Sequence, residues 1–160
     1  MKKITIVISV ILISFSASAQ KEMDTIVKRC PVYITDTTGY NNYFLEFQPA
    51  TIRIDRAKGD LQIVVEQKDQ FFSLFFGKKH LENRLYKIKS NAKSNKEVAA
   101  KYSFRSGDQV SYVTVTSGTI ETSFNKETKL WNIKVNGILS NFVGRGISYF
   151  KVKADFFIRG

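Results

Sequence analysis

The sequence predicts an all-β domain, an antiparallel β-sandwich or small β-barrel with at most one short helix. Three observations predict it. The chain is rich in Phe, Tyr, Ile, Val and Thr, the residues that suit a pleated, half-buried surface. Apolar and polar residues alternate with a period of two over many short stretches. Those stretches are separated by turn-forming clusters, with no long apolar stripe of helical period between them.

Taken in order, Val32 and Ile34 alternate with Tyr33 in a first strand. Ile52 and Ile54 alternate with Arg53 and Asp55. Beyond Lys58-Gly59-Asp60 the alternation resumes at Leu61, Ile63 and Val65. Two such runs about a short glycine-containing turn predict a hairpin, with Gly59 at positive φ. Phe71 to Phe76 is almost wholly apolar, which predicts a strand buried on both faces or lying under a loop. Leu81, Leu85 and Ile88 fit a helical stripe, and the same segment also fits a strand with Tyr86 and Ile88 on one face. Asn91 to Ala100 is polar and predicts a loop, or a short helical turn at Glu97 to Lys101.

The C-terminal half alternates more regularly. Val113 and Val115 alternate with Tyr112, Thr114 and Thr116, and Ser117-Gly118 predicts a bend or bulge. Ile120, Thr122 and Phe124 share a face. Residues 125–129 form a polar hairpin loop, after which Trp131, Ile133 and Val135 return. In the last strand Phe150, Val152, Ala154, Phe156 and Ile158 face the core. Lys151, Lys153, Asp155 and Arg159 face water.

The N-terminus has the three-part layout of a secretory signal peptide: Lys2-Lys3, an apolar run from Ile4 to Phe15, and Ala17-Ser18-Ala19 at the cleavage position. The expected division is a signal peptide at 1–19, an N-terminal segment at 20–30 and a single all-β domain at 31–160. The expected location is the periplasm, the cell surface or the extracellular space. No later apolar run is long enough for a transmembrane helix in the mature chain. One cysteine, Cys30, precludes an internal disulfide, and it is read as a small apolar core residue. The net charge is +11, and loss of Lys2 and Lys3 with the signal lowers it by two to +9. Such a charge favours anionic partners. For an exported chain these are a glycan, a lipid headgroup or an acidic protein of the envelope, and no nucleic acid is expected.

From Leu85 onward the chain has a definite rhythm: Tyr86-Lys87-Ile88, Ala99-Ala100-Lys101-Tyr102, Tyr112-Val113-Thr114, Ser117-Gly118-Thr119-Ile120, Trp131-Asn132-Ile133, Gly137 and Val152-Lys153-Ala154-Asp155-Phe156. This half resembles small secreted all-β proteins of Bacteroidota with unassigned function. The Ser-Ala-Ser-Ala-Gln ending of the signal region is similar to theirs as well. The resemblance implies the fold and the envelope location, and it carries over no catalytic residues.

Little in the sequence supports catalysis, and the expectation is a non-enzyme without a cofactor. Zinc needs clustered Cys and His, whereas Cys30 and His80 are the only two. Asp55, Asp60, Glu66 and Asp69 flank one hairpin without a calcium-loop pattern. His80 follows Lys78-Lys79 in a turn, which suits a surface histidine. Gly144-Arg145-Gly146 is too short for a phosphate loop and suits a turn. A carboxylate-dependent hydrolase using Glu46 with Glu66 is the least favoured function.

The strongest regional signal is charge. Lys78, Lys79, Arg84, Lys87, Lys89, Lys93, Lys96, Lys101 and Arg105 stand against Glu82 and Glu97 alone. They form the candidate patch for an anionic partner, and a solvated loop region is the bland explanation of the same residues. The alternative function is a small barrel carrying an apolar ligand, with Phe71, Phe72, Phe75 and Phe76 lining its cavity.

Overall fold

The computed structural model describes residues 22–24, 32–36, 50–57, 59–143 and 146–159. The expectations that fall on the signal region, Cys30, Glu46, Lys58, Gly144 and Arg145 lie outside the described residues. The chain is all-β, and the described residues contain no helix. The strands in chain order are β1 (Glu22–Asp24), β2 (Val32–Thr35), β3 (Thr51–Ala57), β4 (Asp60–Gln67) and β5 (Gln70–Phe76). They continue with β6 (Arg84–Lys89), β7 (Glu97–Ser106), β8 (Gln109–Asn125), β9 (Leu130–Val143) and β10 (Gly146–Arg159). They form one curled sheet, a half-barrel, in the order β1-β3-β4-β5-β7-β6-β8-β9-β10-β2, with a further pairing of β7 to β8. β1 comes from the segment that the sequence sets apart at 20–30, and it lies along β3.

The curl follows from the alternation. One face of each long strand is apolar, and burying those faces against one another bends the sheet around a single core. The inner row Ile52, Val65, Phe72, Tyr102 and Val113 runs across five adjacent strands in register. Phe72 and Phe156 are the largest of the fully buried side chains. Each such side chain stabilises the fold by about 1.5–3 kcal/mol. Phe76 meets Tyr86 edge-on, with ring centroids 5.3 Å apart.

The β3–β4 hairpin turns at Gly59, whose φ of 98° suits glycine, as the sequence predicts. The 125–129 loop is held by Asn125, whose Oδ1 accepts from the backbone N–H groups of Glu127 (2.8 Å) and Thr128 (3.0 Å). The bulge expected near Ser117-Gly118 falls between Val115 and Ser117. There β8 exchanges partners. Residues 109–114 pair with β7, and residues 117–122 pair with β6. β6 is thereby wedged between two strands that diverge from their shared hairpin, and it runs parallel to β7.

Two local expectations are corrected. The proposed helical turn at Glu97 to Lys101 is the start of β7, in which Val98, Ala100 and Tyr102 are buried. Pairing with β5 overrides the weak strand preference of two alanines. Of the two readings of the Leu81, Leu85 and Ile88 segment, the helical stripe gives way to the strand with Tyr86 and Ile88 on one face. β6 buries Tyr86 and Ile88 and leaves Leu85 61% exposed. Its entry is fixed by Thr122, whose hydroxyl lies 2.6 Å from the carbonyl of Glu82 and 3.3 Å from that of Arg84. The Asn83 side chain adds a bond, its Oδ1 accepting from the N–H of Phe124 at 2.6 Å.

Candidate functional site

The nine basic residues are spread over the bend before β6, β6 itself, the β6–β7 turn and β7, with Arg84 and Lys87 against that turn. Lys78 and Arg84 are both ion-paired with Glu82, with Arg84 Nη1 3.2 Å from Glu82 Oε2. The Lys78 hydrogen bond and, after it, the Arg84 charge hold the Glu82 carboxyl below its usual value. Lys79 is exposed in the bend before β6. Lys93 and Lys96 sit in the turn between β6 and β7. That turn is organised by the Glu97 carboxylate, which accepts from the N–H groups of Lys93 (3.0 Å) and Ser94 (3.3 Å). The Lys93 N–H is the largest cause of the lowered Glu97 pKa. Lys101 places its ammonium 5.7 Å from the Phe75 ring centre and 5.2 Å from that of Tyr112, a double cation–π contact on the convex face. Arg105 lies at the end of β7, where its N–H donates to the carbonyl of Asp69 at 2.8 Å.

Lys87 and Lys89 are different. Both point outward from β6, and the register carries them into rows that cross four further strands. One row is Lys87, Thr119, Asn136, Lys153 and Tyr33. The next is Lys89, Ser117, Ile138, Lys151 and Thr35. Neither row contains an acid. All four lysines are exposed. They mark a rectangle about 14 Å by about 7 Å, from three strand spacings and a two-residue rise. The acids lie in the adjoining row, Leu85, Glu121, Lys134 and Asp155, where they flank Lys134. A shallow depression of about 360 Å³ opens on this face, bordered by Tyr33, Lys134, Asn136, Lys153 and Asp155. The sequence placed Lys151 and Lys153 on the water-facing side of the last strand. Only the pairing register shows that they stand beside Lys87 and Lys89.

The four phenylalanines proposed to line one cavity are divided. Phe72 and Phe76 are buried in the core, and Phe71 and Phe75 lie on the opposite face of β5. Neighbouring residues of a strand point to opposite sides, so Phe71-Phe72 and Phe75-Phe76 have no shared cavity to line. A concavity of about 490 Å³ lies instead at one open end of the concave face. Its apolar wall is Ile34, Tyr102, Phe104, Val113, Leu139 and Phe150. Its polar edge is Lys68, Asp69, Gln70, Arg105 and Asn141. Burial pushes the Tyr102 phenol above its ordinary value, so it is protonated at neutral pH.

Among the other residues considered for chemistry, Glu66 and Asp55 are both paired with Arg53, at 3.8 and 3.0 Å. His80 is exposed and borders a cavity of about 100 Å³ with Arg56, Trp131 and Arg159. Among the described residues no three His, Cys, Asp or Glu side chains are grouped to hold a metal ion. No protein-family model, curated protein or solved structure matches the chain.

Proposed function

We propose that this chain is an exported envelope protein without catalytic activity, whose convex face on β6, β8, β9, β10 and β2 binds an anionic glycan. The observation that carries the proposal is the pair of acid-free rows, with Lys87 and Lys153 in one and Lys89 and Lys151 in the other. The depression beside Tyr33 favours a glycan over an acidic protein. It offers an aromatic ring, an amide and an ammonium group together, which suits a charged sugar ring. The signal-like N-terminus supports the location.

Retention on a sulfated-glycan resin tests the proposal. Four exposed ion pairs at about 0.2–1 kcal/mol each amount to about 1–4 kcal/mol, a loss of about fivefold to several hundredfold in affinity. The quadruple variant Lys87→Gln, Lys89→Gln, Lys151→Gln, Lys153→Gln should elute at much lower salt than the wild type. The charge-matched variant Lys78→Gln, Lys79→Gln, Lys93→Gln, Lys96→Gln should elute close to it. Equal shifts in the two would mean that net charge alone drives retention. Tyr33→Ala should weaken binding to the glycan and leave binding to polyglutamate unchanged. The reverse result would favour an acidic protein partner.

A further inference from the structure

We infer that the open end of the half-barrel is a binding site for a single-chain amphiphile with an anionic head, its hydrocarbon tail on the concave face and its head at the rim. The site is separate from the lysine rows and independent of the glycan proposal. The cavity of about 490 Å³ falls in the lower part of the range for small-molecule sites, about 300–1,000 Å³, which suits one chain better than two. Val113, Leu139 and Phe150 furnish its inner wall, next to the Tyr102 ring. No ionisable group other than that protonated phenol lies among these four residues. A tail laid here exchanges water for apolar surface without stranding a charge.

The rim supplies the head-group chemistry. Lys68 and Arg105 both border the cavity, against the single acid Asp69. The hydrogen bond from Arg105 N–H to the Asp69 carbonyl ties the β4–β5 turn to the end of β7, so the two backbone segments that carry these cations are braced together. Gln70 and Asn141 add amides on the same edge. The wall itself reaches water at Phe104, which follows Tyr102 on the same face of β7 and is 38% exposed, so a tail can enter there.

Calorimetric titration of the purified chain with decanoate, dodecanoate and tetradecanoate, each below its micellar concentration, tests the inference. Affinity should rise about fourfold for each added methylene, as expected for a tail leaving water. Val113→Trp places an indole in the cavity and should abolish binding. The exposed double variant Lys68→Gln, Arg105→Gln keeps the wall intact. It should weaken dodecanoate by about 2- to 30-fold and leave dodecanol unchanged. The quadruple lysine variant of the convex face should bind dodecanoate as the wild type does, so the two sites fail or stand separately. Absence of binding at every chain length would overturn the inference. So would full dodecanoate affinity in a folded Val113→Trp protein. Equal weakening of dodecanoate and dodecanol in the double variant would overturn the assignment of the anionic head.

Discussion

Replacing Gly118 by alanine should destabilise the protein by about 2–6 kcal/mol. The residue lies just beyond the bulge at which β8 leaves β7 and takes up β6, and its φ is 138°. An added Cβ would stand 2.2 Å from the carbonyl oxygen of Asn136 and 2.5 Å from Cα of Gly137, both backbone atoms of the neighbouring strand. To reach ordinary contact near 3.4 Å, β9 must retreat by about 1.2 Å at this point. That retreat breaks about two ladder hydrogen bonds, at about 0.5–1.5 kcal/mol each. A non-glycine residue held at this φ adds about 1–3 kcal/mol of backbone strain. Total stabilities of small domains are about 5–15 kcal/mol, so the effect is large. Urea unfolding at constant slope measures it. Gly77→Ala is the control, because nothing lies within 4 Å of its Cβ position and its φ is not in the left-handed region. It should change stability by no more than about 1 kcal/mol. A loss of less than about 1 kcal/mol in Gly118→Ala would refute the claim that the strand exchange depends on this close approach.

Phe156, 2% exposed and opposite Ile133, should cost about 3–5 kcal/mol when truncated to alanine, whereas Lys153→Ala on the other face should cost at most about 0.5 kcal/mol in thermal melts. Thr122→Val keeps the side-chain shape and removes the hydroxyl that bonds the Glu82 carbonyl, which should cost about 1–3 kcal/mol in urea unfolding. Glu97→Gln should lower the melting temperature at neutral pH and cease to matter in acid. The Glu97 pKa is lowered on folding, so its contribution is present above the unfolded value near 4.5 and is lost as pH falls through the folded value. A melting-temperature difference that persists unchanged at about pH 2.5 would contradict that assignment.

Much of the fold was legible because period-two alternation records which side of a strand is buried. Val152, Ala154, Phe156 and Ile158 are buried as that pattern requires. Turns were legible where a residue type is needed locally, as at Gly59 and Asn125. The pairing of β6 was not legible, because it depends on where β8 bulges and on contacts between residues about thirty positions apart. The lysine face was only partly legible, for a related reason. Closeness in sequence gathered nine cations from neighbouring strands and turns, while Lys151 and Lys153 join Lys87 and Lys89 on the face from a distant strand. The Phe71 to Phe76 cavity contained its own contradiction, since adjacent strand residues point to opposite sides.

The pairing of β2 with β10 also bears on when the sheet can be completed. Ile34 lies opposite Val152, roughly 120 residues later in the chain, so their loop-closure entropy is among the largest in the fold. The β3–β4–β5 and β8–β9–β10 meanders close through short turns and can form early. β2 has no place to settle until the last strand has been made. A chain delivered gradually from a ribosome therefore keeps that edge unfinished until β10 emerges.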